Sequence, residues 1–381
     1  MKRTYFYYLQ TALLAALTAG CAQNEVTETS PDAHAAIGFS VYTGMPTSRG
    51  SSLTTADIQK AGTGTGYGFG VCVYQTAAAY DPAGTKSPFM DNTQVTYDSG
   101  NSAWTYSPLK FWPTNTDKLS FFAYAPYSAA AGDLGISLLT PTPTGTADPG
   151  LKYELPAQAD MTDLCLAQSQ LDKTSTGGGS ISLNLKHALS RVGMTIRTNV
   201  DLDNNPLVNL YITDISFVHT SKLAKTNTLN MRTGLWEATP VAYLPSTCPL
   251  TDEDNGGILK KVQASGFADY TVKSVKVPYT AASPLTDDHY YFFMPVNGTA
   301  GTAADGDVKL SITYDIVTKA AAGSTAATVG TVTKTVNLAA GSFAQGKAYM
   351  YNLTINLNAV IVTATMDTWG TETPGNITVP A

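Results

Sequence analysis

Apolar and polar residues in this chain trade places one by one, over and over. In VKLSITYDI, Val308, Leu310, Ile312, Tyr314 and Ile316 hold one phase, while Lys309, Ser311, Thr313 and Asp315 hold the other. Period-two patterning of this kind turns one face of an extended strand to a core and the other to solvent. The same alternation marks 37–41, 181–185 and 351–357, and no amphipathic run is long enough for a helix of more than two or three turns. An all-β chain is therefore expected. Charged residues make up only 14% of the sequence, with 32 Gly and 21 Tyr, which suits an extracellular β protein better than a helical enzyme.

Further strands are expected at 163–167, 211–218, 234–238, 268–276, 290–294 and 328–338. LSFFAYAPYS carries aromatics in both phases, with Phe121 in one and Phe122 and Tyr124 in the other. Such a strand should be central and covered on both faces. Composition and phase both change across TSTGGGS and the stretch that follows, so a boundary is placed near 186/187, giving sandwiches at 37–186 and 187–381.

The two ends of the chain stand out. IGFSVYTGMPTSRG opens with Ile37, Phe39 and Val41 in one phase, then breaks at Pro46 and continues to Arg49 and Gly50 in a Ser/Thr-rich loop. Near the C-terminus, Tyr351, Leu353, Ile355 and Leu357 are odd-numbered, whereas Val360, Val362, Ala364 and Met366 are even. A one-residue slip reverses the face of every side chain, so two strands separated by a turn or bulge are expected around Asn358 and Ala359. A last short apolar segment lies at 377–379.

Residues 1–21 read as an export segment: Lys2 and Arg3, an apolar run from Leu9 to Leu17, and a lipoprotein-like box at Thr18-Ala19-Gly20-Cys21. Residues 22–36 read as a polar tether. Without Lys2 and Arg3 there are 21 basic residues against 29 acidic, a net charge of −8. Nothing there offers a nucleic acid the basic face it needs. Gly62, Gly64, Gly66, Gly68 and Gly70 superficially resemble a phosphate loop, but no lysine and helix follow, so a turn feeding a strand is expected. Cys72 and Cys165 sit in apolar runs and read as small buried hydrophobes, and no CxxC or Cys/His spacing suggests a metal. His187 continues the buried phase of Leu183 and Leu185 and reads as a structural histidine. No cofactor is implied, and no nucleophile, base or HExxH pattern points to an enzyme.

In order along the chain, the lipoprotein-like start, the first strand with its Thr-Ser-Arg loop, FWPTNTDKLSFFAYAPYS, DLCLAQSQLD, ISLNLKHALSRVGMTI and GKAYMYNLTINLNAVIVTATMDTW resemble the fimbrillin family. These are type V pilus subunits and fimbrillin-like lipoproteins of Bacteroides-type bacteria. The resemblance implies two transthyretin-like β-sandwich domains in tandem. It also implies a precursor lipidated at Cys21, carried to the outer membrane and cut by an arginine-specific protease between Arg49 and Gly50. Ile37, Phe39 and Val41 would then leave with the first strand. A C-terminal strand of another fimbrial subunit, with Val360, Val362, Ala364 and Met366 as its knobs, would take the vacated place by β-strand addition. Adhesion to host or bacterial surface ligands is the expected use. Three alternatives stay open on the residues alone. Arg49 also fits an ordinary solvated loop, 360–366 also fits a normal last strand, and 377–379 could supply the donor strand instead. An uncut surface adhesin or glycan-binding lipoprotein is the other functional class, with Trp104/Tyr106 and Tyr290/Tyr291 as candidate sugar-stacking pairs.

Overall fold

The computed structural model describes residues 35–43, 53–114, 116–140, 148–157, 160–175, 179–202, 205, 207–250, 275–276, 283–284, 290–298, 301–324, 327–356, 360–368 and 371–378. Within them the chain is all-β as expected, with a four-residue helix, α1 (Thr55–Ile58), and short 3₁₀ turns such as Asp133–Gly135.

The first sheet draws on β1 (Gly38–Thr43), β2 (Phe69–Thr76), β3 (Ser87–Asp98), β4 (Ala103–Thr105), β5 (Lys118–Ala125), β8 (Cys165–Ala167), β9 (Gln170–Lys173) and β10 (Ser180–His187). Their order is β1-β10-β8-β5-β2-β3-β4, with β9 also on β5. As its two-phase aromatics require, β5 is interior and divides two cores. Leu119, Phe121, Ala123 and Ala125 join one with Phe39, Phe69 and Leu183. Phe122 and Tyr124 join the other. The glycine-rich stretch before β2 is made of bends and turns and feeds the strand.

A second sheet has the order β14-β13-β7-β6, from β6 (Ile136–Leu139), β7 (Gly150–Glu154), β13 (Ala224–Asn230) and β14 (Ala242–Tyr243). It thus pairs strands from both halves of the sequence. The third is β15-β12-β19-β20, with β16 (Val275–Lys276) also on β12; its members are β12 (Val208–His219), β15 (Thr247–Pro249), β19 (Val308–Lys319) and β20 (Ala327–Asn337). The fourth runs β17-β11-β21-β22-β23, from β11 (Ser190–Thr198), β17 (Ser283–Pro284), β21 (Lys347–Ile355), β22 (Val360–Thr368) and β23 (Thr371–Thr378), with β18 (Tyr291–Phe293) also on β11. The larger core is continuous across these sheets, from Tyr153 of β7 to Trp236, Phe217, Phe293 and Tyr351.

Two strand expectations need correction. Residues 234–238 form no strand; Trp236 makes a single bridge to Leu229, and its indole N–H instead donates 2.8 Å to the Ala188 carbonyl inside the core. In β19 the alternation holds through Tyr314 and then inverts, so that Asp315 and Val317 are buried and Ile316 only half-buried. Asp315 Oδ1 accepts a 2.7 Å hydrogen bond from the Thr331 hydroxyl, which offsets the cost of burying it. Of the expected strand at 268–276, only β16 lies within the described residues.

Candidate functional site

β1 lies at the edge of its sheet and runs parallel to β10, from Gly38 opposite Ser180 to Thr43 opposite Leu185. Its alternation lands as the sequence demands: Phe39 is buried, Val41 half-buried, and Ser40 and Tyr42 face solvent. Phe39 sits in an aromatic cage, its ring edge-on to Phe69, Tyr106 and Phe121 at centroid distances of 6.0, 5.5 and 6.2 Å. Ile37, 2% exposed, packs in the same core.

The strand also reaches the far end of the sheet order. Ile37 N–H donates to the Lys110 carbonyl at 2.9 Å, Ala36 bridges Phe111, and the Tyr106 hydroxyl donates to the Ile37 carbonyl at 2.8 Å. Trp112 N–H donates to the Ala35 carbonyl at 3.1 Å. β1 therefore closes the gap between β10 on one side and the segment after β4 on the other. Gly179, at φ +80, is needed here: its carbonyl accepts from Gly38 N–H at 2.8 Å and from the Trp112 indole at 3.2 Å, and a Cβ would stand 2.9 Å from the Ala36 oxygen.

The described residues on either side of 44–52 are fastened. Thr43 N–H donates to Thr55 Oγ1 at 3.1 Å, and the two hydroxyls are 2.7 Å apart. Thr54 caps α1 in a reciprocal capping box with Asp57, and Ile58 is buried in the core beneath β1. Leu53 N–H donates to Asp163 Oδ2 at 2.9 Å. Arg49 and Gly50, like Cys21, lie outside the described residues.

At the other end, the phase slip separates β21 from β22, which pair antiparallel from Lys347 opposite Thr368 to Ile355 opposite Val360. β22 has β23 on its other side, with Ala364 opposite Ile377. Val360 and Val362 stand opposite Ile355 and Leu353 in the ladder, Ala364 is buried, and Met366 packs half-buried against the larger core. Within one chain β22 is thus an interior strand and β23 the edge.

The sequence missed one cluster, because its members come together only across a strand pair. Cys165 and His187 are cross-strand partners in β8 and β10. His187 Nδ1 lies 2.6 Å from Asp163 Oδ2, and Cys165 Sγ lies 3.4 Å from the same nitrogen. Burial, together with the negative Asp163, pushes the Cys165 thiol well above its ordinary value. A thiol held protonated, sharing with the carboxylate a single ring nitrogen, is the opposite of an activated nucleophile. Burial likewise pushes Cys72 up to about 12.

The candidate sugar-stacking pairs are mostly core. Tyr106 and Tyr290 are 9% exposed and Tyr291 is fully buried, leaving only Trp104 half-buried against Phe69 and Tyr97.

The family model described as "Fimbrillin-like" matches residues 54–369 of this chain. The chain is 31% identical over 387 residues to fimbrium subunit Fim1C of Phocaeicola vulgatus, covering 96% of this chain and 97% of that one. A crystal structure of a fimbrial protein from Bacteroides vulgatus superposes with a TM-score of 0.71 at 28% identity, covering 88% of this chain and 99% of the other.

Proposed function

Because this chain belongs to the fimbrillin-like family, a family of structural subunits and not of enzymes, we propose that it is a subunit of a surface fimbria that assembles by exchanging β1 for a strand of another subunit. In this reading Cys21 carries the lipid that anchors the precursor in the outer membrane. An arginine-specific protease cuts between Arg49 and Gly50. A C-terminal strand of another copy or a related subunit then fills the place of β1, and the assembled fimbria contributes to adhesion at the cell surface.

The observation that carries this reading is the way β1 is held. It has one ladder neighbour, a few hydrogen bonds at its start, and a core contribution from Ile37, Phe39 and part of Val41. Each fully buried side chain of that size is worth roughly 1.5–3 kcal/mol, enough to keep the strand seated while the chain is continuous. Once the chain is cut, the effective concentration that favours β1 over a competing strand is lost. The emptied place then offers main-chain groups of β10 on one side, the Lys110 carbonyl on the other, and an apolar floor of Phe69, Phe121 and Leu183. That is a template for β-augmentation.

Two C-terminal strands are candidate replacements: β22, which carries Val360, Val362, Ala364 and Met366, and β23, which is bound on one side only. The test is limited digestion of the purified chain with a trypsin-like protease, followed by N-terminal sequencing and size-exclusion chromatography. Cleavage before Gly50 with conversion to oligomers is expected. A trimmed product that stays monomeric at high concentration overturns the assembly mechanism.

A further inference from the structure

We propose that Asp163, Cys165 and His187 form a buried binding site for one divalent cation of the zinc class. The site is independent of strand exchange. The donor atoms Asp163 Oδ2, His187 Nδ1 and Cys165 Sγ lie 2.6, 3.4 and 3.7 Å from one another, on side chains that are all buried. Around a tetrahedral zinc ion, with oxygen and nitrogen at about 2.0–2.1 Å and sulfur at about 2.3 Å, such donors sit about 3.3–3.6 Å apart. The two edges that include sulfur are close to this already. The third is short because a proton now sits between carboxylate and imidazole, and it needs to open by only about 0.7 Å when an ion replaces that proton.

Three further features support the assignment. Asp163 has a side chain with 0% exposure, yet its Oδ1 has no hydrogen-bond partner. An unsatisfied buried carboxylate oxygen is costly, and bidentate ligation would satisfy it while supplying the fourth donor. The charges also balance, since a carboxylate, a thiolate and a neutral imidazole neutralise a dication in a site closed to water. A bound dication would likewise reverse the present disfavour for the thiolate. Finally, Leu53 N–H orients the ligating carboxylate from outside, as outer hydrogen bonds do in metal sites. A mixed nitrogen, sulfur and oxygen set selects zinc over calcium or magnesium, which require oxygen donors.

The ion would tie the start of β8 and the end of β10 to the segment leading into α1. The test uses the full chain expressed with Zn²⁺ and then dialysed without chelator, with metal content read by elemental analysis. A parallel Co²⁺ titration looks for the near-ultraviolet thiolate-to-metal charge-transfer band. One retained ion per chain and a cobalt band are expected, both lost in Cys165→Ala while the circular dichroism stays unchanged. Should that variant not fold, Cys165→Ser is the second, keeping the fold and removing the band. Folded wild-type chain that retains no ion and gives no cobalt band, or that binds cobalt equally well without Cys165, overturns the site.

Discussion

Phe39 is the residue on which the seating of β1 depends most. Its ring meets three aromatic edges in the smaller core, so Phe39→Ala removes a large apolar contact and leaves a cavity among Phe69, Tyr106 and Phe121. A loss of about 3–5 kcal/mol is expected in chemical denaturation of the uncut chain, with faster release of β1 after proteolysis. Asp307 gives a prediction in pH. Partial burial raises its pKa, but hydrogen bonds from Ala304 N–H and Lys222 Nζ, and a weaker one from Asn297, outweigh this and hold it below its ordinary value. A depressed carboxyl stabilises the fold above its unfolded pKa and loses that contribution as pH falls through the folded one. Urea midpoints measured from about pH 6 to 3 should therefore fall less steeply for Asp307→Asn, by under about 1 kcal/mol. At this scale the sequence is legible where one side chain carries one phase, as with Ile37 and Phe39. It marks Cys165 and His187 as buried but not their meeting with Asp163, because 22 positions separate cysteine from histidine and only the β8–β10 register joins them.

Strands with apolar alternation were readable; those that bury small or polar side chains were not. β13 buries Ala224, Thr226, Asn227 and Leu229, a set without an apolar signature, and β3 carries Pro88 and irregular register against β2. β7, flanked by its two neighbours in the second sheet, is too short for a period to register in GLKYE. At the C-terminus the slip in phase did mark β21 and β22 as two separate strands, since a reversed face admits no continuous strand. β20 is the element most open to unintended pairing. It is eleven residues long, mostly exposed, at the edge of the third sheet, and has Lys334 as its only charge. Val329, 47% exposed, contributes little to the core, so Val329→Lys should change stability by less than about 0.5 kcal/mol. Light scattering of the concentrated protein should show less aggregation than for the parent chain.

For the whole molecule, one large core runs through strands from both halves of the sequence, while a smaller core lies under β1. Losing β1 thus strips the smaller core and leaves the larger one intact, which is what a subunit must survive if it is trimmed before assembly. Replacing Arg49 with Ala should leave the chain monomeric after exposure to an arginine-specific protease, with β1 retained on mass spectrometry. The parent chain under the same treatment should lose β1 and associate.

The separation of β1 from the C-terminal strands has a further consequence. In the proposed exchange the slot left by β1 and the strand that fills it belong to different ends of the chain, so each joint is head-to-tail. Every joint built this way carries the same arrow. A filament of such joints has two chemically distinct tips, one presenting a vacant slot and the other an unspent strand, and it can be capped at either end by a subunit lacking the matching half.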